Sequence, residues 1–327
     1  MSENTHGRVL NWKKGPVDER DYKSVRRLTA PLTLPESFEL DKQIPIYDQL
    51  DIGSCVSNSA CSCYRFESAQ VLGNFGFNPS RLFEYYNARK LQGWEKEDSG
   101  AYIRDGFKAM NKWGLAKEEL WPYRVNDFAK EPTTQVYSDG LNNVTVKYAT
   151  VQQTETAIKE TLMSGAAVSF GFTVYDSFMS GNWDVTTGIM PLPKKTERVL
   201  GGHAVTIIGW SDSKKCFLIQ NSWGTSWGQK GKFWMPYSFL LNSNEADDFW
   251  CIETIKIAGE PVDPNPPTPP IEIDWKTVSK ILFKTSKELW AVKKPTIVRL
   301  GIALNLPCSE KMTFRQNYNL VKEKLGL

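Results

Sequence analysis

The chain has 327 residues, 41% hydrophobic and 12% aromatic, with a formal net charge of +3. Such a chain can bury a sizeable core, which excludes a polypeptide disordered overall. No apolar run approaches membrane-spanning length, and the charge is uneven: residues 271–327 hold 11 Lys/Arg against 5 Asp/Glu, or +6, leaving −3 for the rest.

Residues 1–33 are polar and mixed in charge, with Trp12 and Tyr22 as isolated aromatics. They read as an extended arm along the neighbouring domain, in a position to cover its cleft. Next comes Asp48-Gln49-Leu50-Asp51-Ile52-Gly53-Ser54-Cys55, opening a run rich in small residues. A helix entered at Cys55 is expected to reach about Val71. A thiol at that end meets unpaired backbone N–H groups and the positive end of the helix dipole, which favour the thiolate. Gln49 supplies an amide donor that can fold back over the same spot. Helices are also expected over Arg81–Leu91, where Asn78-Pro79-Ser80 caps the start, and over Tyr102–Trp113, stopped by Gly114.

After Tyr123 the pattern changes. Asn143–Ala149 alternates as a strand, Glu155–Met163 is a short amphipathic helix, and Ala166–Val174 is another strand. Of two histidines, His6 lies in the polar arm, which leaves His203 as the base for Cys55. It heads the apolar, β-branched run His203–Ile208, so its imidazole sits at the mouth of a strand. Asn221 ends the next strand, Cys216–Gln220, where its amide oxygen can meet the far ring nitrogen. A further strand begins at Lys232.

These residues resemble the papain-like cysteine peptidases, in a divergent microbial or viral form. His203 and Asn221 lie 148 and 166 residues after Cys55. The resemblance extends to Leu34-Pro35-Glu36-Ser37, Asp98-Ser99-Gly100-Ala101, Leu120-Trp121-Pro122-Tyr123, Ala166–Phe170 and, most specifically, Asn221-Ser222-Trp223-Gly224 with its second Trp-Gly. Two departures stand out. Val56 replaces the aromatic that usually comes after the nucleophile, and Ile52 replaces the first cysteine of a common disulfide. The long helical prosegment of many relatives has no counterpart in residues 1–33.

The resemblance implies an α+β, papain-like two-lobed fold: a helical lobe, a β-barrel-like lobe, and an active-site cleft between them. It implies a Cys55-His203-Asn221 peptidase with Gln49 as oxyanion donor. Ser99 and Gly100 would present main chain to an extended peptide, Gly202 would offer its carbonyl, and Trp223 would shield the Asn221–His203 contact. Ile255 would floor the main specificity pocket, favouring an apolar residue one position before the cleaved one. No cofactor and no metal is implied, and Cys61 and Cys63 read as small core thiols. An amidase or acyltransferase on a non-protein amide, and a catalytically silent binding protein, are the alternatives.

Six cysteines, one of them the nucleophile, make a poor disulfide framework, and no secretory leader opens the sequence. A reducing compartment such as the cytoplasm is expected, with a virion-associated location left open. The domain organisation reads as N-terminal arm or short prosegment 1–33, catalytic domain 34–258, proline-rich linker 259–270 and a small basic helical module 271–327. That module would pack on itself or a protein partner, with an anionic surface, nucleic acid or the cleft as other targets.

Overall fold

A computed structural model describes residues 8–16, 18, 21–24, 34–40, 44–73, 76–180, 183, 186–255, 319 and 321–322. The chain divides into two compact units, 1–27 with 34–266, and 28–33 with 267–327. The linker and the expected basic helical module fall outside the described residues, apart from three positions. All the elements named below belong to the first unit.

Its helical half is built on α1 (Cys55–Leu72), whose residues from Cys55 to Ser68 are all buried. A helix covered on every side needs small residues where it meets its neighbours, and the run of Ser, Ala and Cys supplies them. Their polar atoms are satisfied across the interface: Ser59 Oγ lies 2.7 Å from Ser169 Oγ and 2.9 Å from the Val205 carbonyl. Gly73, at φ +68°, ends α1 in the left-handed conformation that favours glycine. Around α1 pack α2 (Arg81–Lys90), whose Ser80 cap accepts from Phe83 N, and α3 (Ile103–Trp113). The short α4 (Thr134–Gly140) is capped by Thr133.

The second half is an antiparallel sheet. In chain order its strands are β1 (Ser37–Glu39), β2 (Thr145–Thr150), β3 (Val168–Tyr175), β4 (Val199–Ser211), β5 (Cys216–Gln220), β6 (Lys232–Pro236) and β7 (Ala246–Ile255). The spatial order is β2-β7-β3-β4-β5-β6, with β1 on β4. Helices α5 (Glu155–Met163), α6 (Asp176–Met179) and α7 (Tyr237–Leu240) complete it.

The sheet does not close into the expected barrel. It stays open, because β2 and β6 lie at opposite ends of the order and do not pair. The α+β class and the two halves stand. The longest strand, β4, carries His203 and packs against α1, so the two halves meet at Cys55. Cys61 and Cys63 lie in the core, and the five described cysteines are all buried and in no disulfide.

Candidate active site

Ser54 leads directly into α1, which puts Cys55 on its first turn. The thiol lies within hydrogen-bonding reach of the Ala204 amide, one residue beyond His203. His203 pairs with Phe172 across β3 and β4, and Thr206↔Gln220 registers β5 so that Asn221 falls beside the ring. Asn221 Oδ1 is 2.7 Å from His203 Nε2, and His203 Nδ1 is buried with no hydrogen-bond partner. The Trp223 ring stacks on the imidazole, centroids 4.8 Å apart and planes 25° from parallel.

Gln49 is aimed by its neighbours. Its Oε1 accepts from Ser222 Oγ at 2.8 Å, and its backbone carbonyl accepts from Tyr123 Oη at 2.8 Å. The amide Nε2 is thereby left to donate to the Ile52 carbonyl at 3.1 Å and the Val9 carbonyl at 3.2 Å.

Val9 belongs to the arm, which runs through the groove. Trp12 N donates to the Gly202 carbonyl at 3.0 Å, and Asn11 Nδ2 to the Asp98 carbonyl at 2.9 Å. Arg8 bonds Asp48 at 2.5 Å and the Trp223 carbonyl at 3.2 Å, while Lys14 pairs with Asp247. Farther along, Arg104 holds Asp18 and Asp21 at 2.8 and 2.7 Å. Tyr22 and Ser24 then bond both sides of Thr150 on the β2 edge, each at 2.8 Å.

Burial sets the protonation state of the pair. Cys55 and His203 are both fully buried. Burial raises the Cys55 thiol to about 11, and nearby backbone amides offset only part of that. Burial likewise lowers His203 to about 4, against the hydrogen bond that its Nε2 donates to Asn221 Oδ1. In the covered state the pair is neutral thiol and neutral imidazole.

The other expected site residues divide. Gly202 presents its carbonyl to the groove, and Trp223 covers the ring. Gly100, at φ +70°, turns its own N–H inward to Tyr85 Oη at 3.2 Å, while its carbonyl accepts from Ser99 Oγ at 3.0 Å. It therefore contributes room rather than a donor: a Cβ there would stand 1.9 Å from the Asn11 carbonyl oxygen. Ser99 is half-buried beside it.

Ile255 is not brought to the groove. It ends β7 opposite Thr145, whereas the groove-side part of β7 is its start, where Asp247 opposes Gly171. Eight residues of extended strand separate Asp247 from Ile255, on the order of 25 Å.

Several contributors carry no signal in the sequence. Both carboxylate oxygens of Asp98 accept from Gly53 N, and Oδ1 also from Tyr85 Oη, so Asp98 fixes the turn before Cys55. Trp12 and Asp248 are two more, brought together where the arm meets β7. On the Arg8 side of Trp223 lies a cavity of about 390 Å³, bordered by Phe178, Trp183, Trp227 and Gln229. Among the described residues no cluster of three or more His, Cys, Asp or Glu could hold a metal ion, and no helix is long and apolar enough to cross a membrane.

A helix headed by a cysteine, packed against a sheet that carries His and Asn, is the arrangement of the thiol-protease class of two-lobed fold. The family model "Papain family cysteine protease" matches residues 34–244. An uncharacterised peptidase C1-like protein of Acanthamoeba polyphaga mimivirus is 37% identical over 281 residues, 78% of this chain and 90% of that protein. A cathepsin B-like protein of Giardia intestinalis is 26% identical over 66% of this chain and 74% of its own length. Among solved structures, xylellain, a cysteine protease from Xylella fastidiosa, superposes with a TM-score of 0.69 at 36% identity, covering 75% of this chain and 96% of that one. The chain belongs to the papain family of cysteine proteases, hydrolases that act on peptide bonds.

Proposed function

We propose that the chain is an endopeptidase whose chemistry is carried by Cys55, His203, Asn221 and Gln49, and that residues 8–15 hold it closed until the arm withdraws. The observation that carries this reading is the 2.7 Å contact of Asn221 Oδ1 with His203 Nε2, which leaves the buried, unpartnered Nδ1 as the ring nitrogen for the thiol. Withdrawal of the arm lets water and substrate in, removing the desolvation that keeps both groups neutral. The Cys55 proton then passes to His203, and the thiolate attacks the peptide carbonyl carbon. Gln49 Nε2 and the Cys55 amide stabilise the oxyanion. The imidazolium gives its proton to the leaving amine, and water hydrolyses the thioester to regenerate Cys55.

An extended main chain already lying in the groove, bonded to Gly202, favours a peptide over a non-protein amide. The preference for an apolar residue before the cleaved one was founded on Ile255, and it loses that foundation.

The test is digestion of an unfolded protein under reducing conditions by wild type and Cys55→Ala. Wild type cleaves and the variant is slower by about a millionfold, the usual scale for loss of a nucleophile. Equal cleavage would remove Cys55 from the mechanism. Absence of cleavage by a wild type that turns over small amides would favour the amidase.

A further inference from the structure

A single peptide plane lies between Asp98 and the side chain of Gln49. Its carbonyl, that of Ile52, accepts from Gln49 Nε2 at 3.1 Å and from Ser54 N at 2.9 Å. Its N–H, that of Gly53, donates to both carboxylate oxygens of Asp98, at 2.9 and 3.1 Å. Glycine lets the carboxylate come this close, since a Cβ at position 53 would stand 3.2 Å from Asp98 Oδ1 and 2.9 Å from Asn11. Glycine also leaves the plane free to turn, because it accepts either orientation at little steric cost. No described cysteine forms a disulfide that would restrain it. The Asp98 carboxylate supplies the restraint.

Asp98 is itself held firmly. Tyr85 Oη donates to its Oδ1 at 2.5 Å, and the Arg89 guanidinium lies 3.8 Å from the centroid of the Tyr85 ring. Arg89 is fully buried and donates to the carbonyls of Glu95, Glu97 and Phe128, which fixes the loop leading into Asp98.

We propose that Asp98 is a positioning residue for the oxyanion donor: its carboxylate sets the Ile52–Gly53 peptide, the Ile52 carbonyl takes one Gln49 N–H, and the second N–H is thereby aimed into the groove where the Val9 carbonyl now sits. The proposal rests on the reading of Gln49 as that donor. A primary amide carries two N–H groups in one plane, so anchoring one directs the other. Without Asp98 the peptide can turn and take the Ile52 carbonyl away, which leaves Ser222 Oγ to hold the Gln49 side chain through Oε1. The donor then survives in many orientations, and a preorganised donor stabilises developing charge better than a mobile one.

The experiment measures kcat and KM on one peptide for full-length wild type, Asp98→Ala, Asp98→Asn, Gln49→Ala and the two double variants. Turnover is counted per molecule whose Cys55 can be alkylated, so that closed molecules do not enter. Asp98→Ala is expected to lower kcat by about 10- to 100-fold, the scale of a displaced catalytic group, with KM changed by less than about threefold. In the Gln49→Ala background the same change should cost less than about threefold, since the group it positions is gone. Asparagine keeps one oxygen for Gly53 N and should lose about fivefold, again with little further loss in Gln49→Ala, so it decides the matter if the alanine variant does not fold. An unchanged kcat, a loss carried by KM, or an equal loss in both backgrounds overturns the proposal.

If wild type cleaves no peptide, the proteolytic reading fails and the positioning is read at rest. The Gln49 side-chain amide is identified in NMR spectra by its absence from Gln49→Ala, and its exchange with solvent is compared in wild type and Asp98→Asn. Its protection should fall by about tenfold in the variant relative to the backbone amides of β4. Equal protection overturns the proposal.

Discussion

The arm is gripped in two places by different physics. Over the catalytic pair, residues 8–15 press against Gly53, Gly100, Gly171 and Gly202, where any Cβ would collide with Asn11 or Trp12. Beyond it, Asp18 to Ser24 rest on Arg104 and the exposed edge at Thr150, held by ion pairs and main-chain bonds. The inner grip is chiefly steric complementarity, flanked by the ion pairs of Arg8 with Asp48 and of Lys14 with Asp247. The outer one is charge at a partly exposed surface, which salt screens. The groove thus has room for an extended backbone, and under the proposed reading the arm would compete there with substrate, while the outer contacts belong to the arm alone.

The largest effect should come from Gln49→Ala. The same amide that holds the Val9 carbonyl would hold the oxyanion, so kcat should fall by about 100- to 1,000-fold. Steady-state kinetics check this, and a change confined to KM would remove Gln49 from the transition state. Gly100→Ala comes next. Its Cβ needs the space of the Asn11 carbonyl at a φ of +70°, so the arm must leave. The strained residue itself costs about 1–2 kcal/mol of stability. Faster alkylation of Cys55 together with a lowered Tm is the expected pair of readings; unchanged alkylation would show the arm still seated.

Closure should also depend on pH. Burial holds His203 at about 4, below the ordinary 6.5 of an imidazole, so an opened, hydrated site takes up a proton more readily than the covered one, and closure weakens in acid. Burial holds Cys55 at about 11, above the ordinary 9.0 of a thiol, so an opened site gives up its proton more readily, and closure weakens in alkali. Closure is therefore strongest near neutral pH. Exchange protection of the Trp12 amide, corrected for intrinsic rate, measures this; flat protection down to pH 4 would refute it. The smallest effect is expected for Arg104→Ala, which removes the ion pairs to Asp18 and Asp21 and should loosen the outer grip by about 1 kcal/mol at low ionic strength. A loss that persists unchanged in high salt would mean the contact is not electrostatic.

The contrast between the grips also separates what was legible in the sequence from what was not. Cys55 and Asn221 were legible because each sits at the end of an element, and His203 because it precedes the apolar run of β4 and only one histidine was free to serve. Strands β2 to β6 and helices α1 to α3 were legible from the same periodicity, whereas β1 and β7 were not. Trp12 and Asp248 were not, because an isolated aromatic in a polar arm and an acid in a strand carry no local signal of meeting 236 positions apart. Ile255 was misplaced for a related reason. Matching the final block by residue type selects the conspicuous apolar end of β7, whereas register with β3 brings its first residues to the groove. Closure of the sheet into a barrel was likewise a matter of which edges meet, which periodicity does not encode.

The strand contributed by Tyr22 and Ser24 has a consequence of its own. While seated, it satisfies the main-chain groups of Thr150 at the margin of the sheet. Activation by withdrawal bares that margin at the moment the groove opens, and an uncovered strand margin invites pairing with any other extended chain. Freshly activated molecules should therefore be stickier than resting ones, so dilution preserves them and crowding among themselves does not.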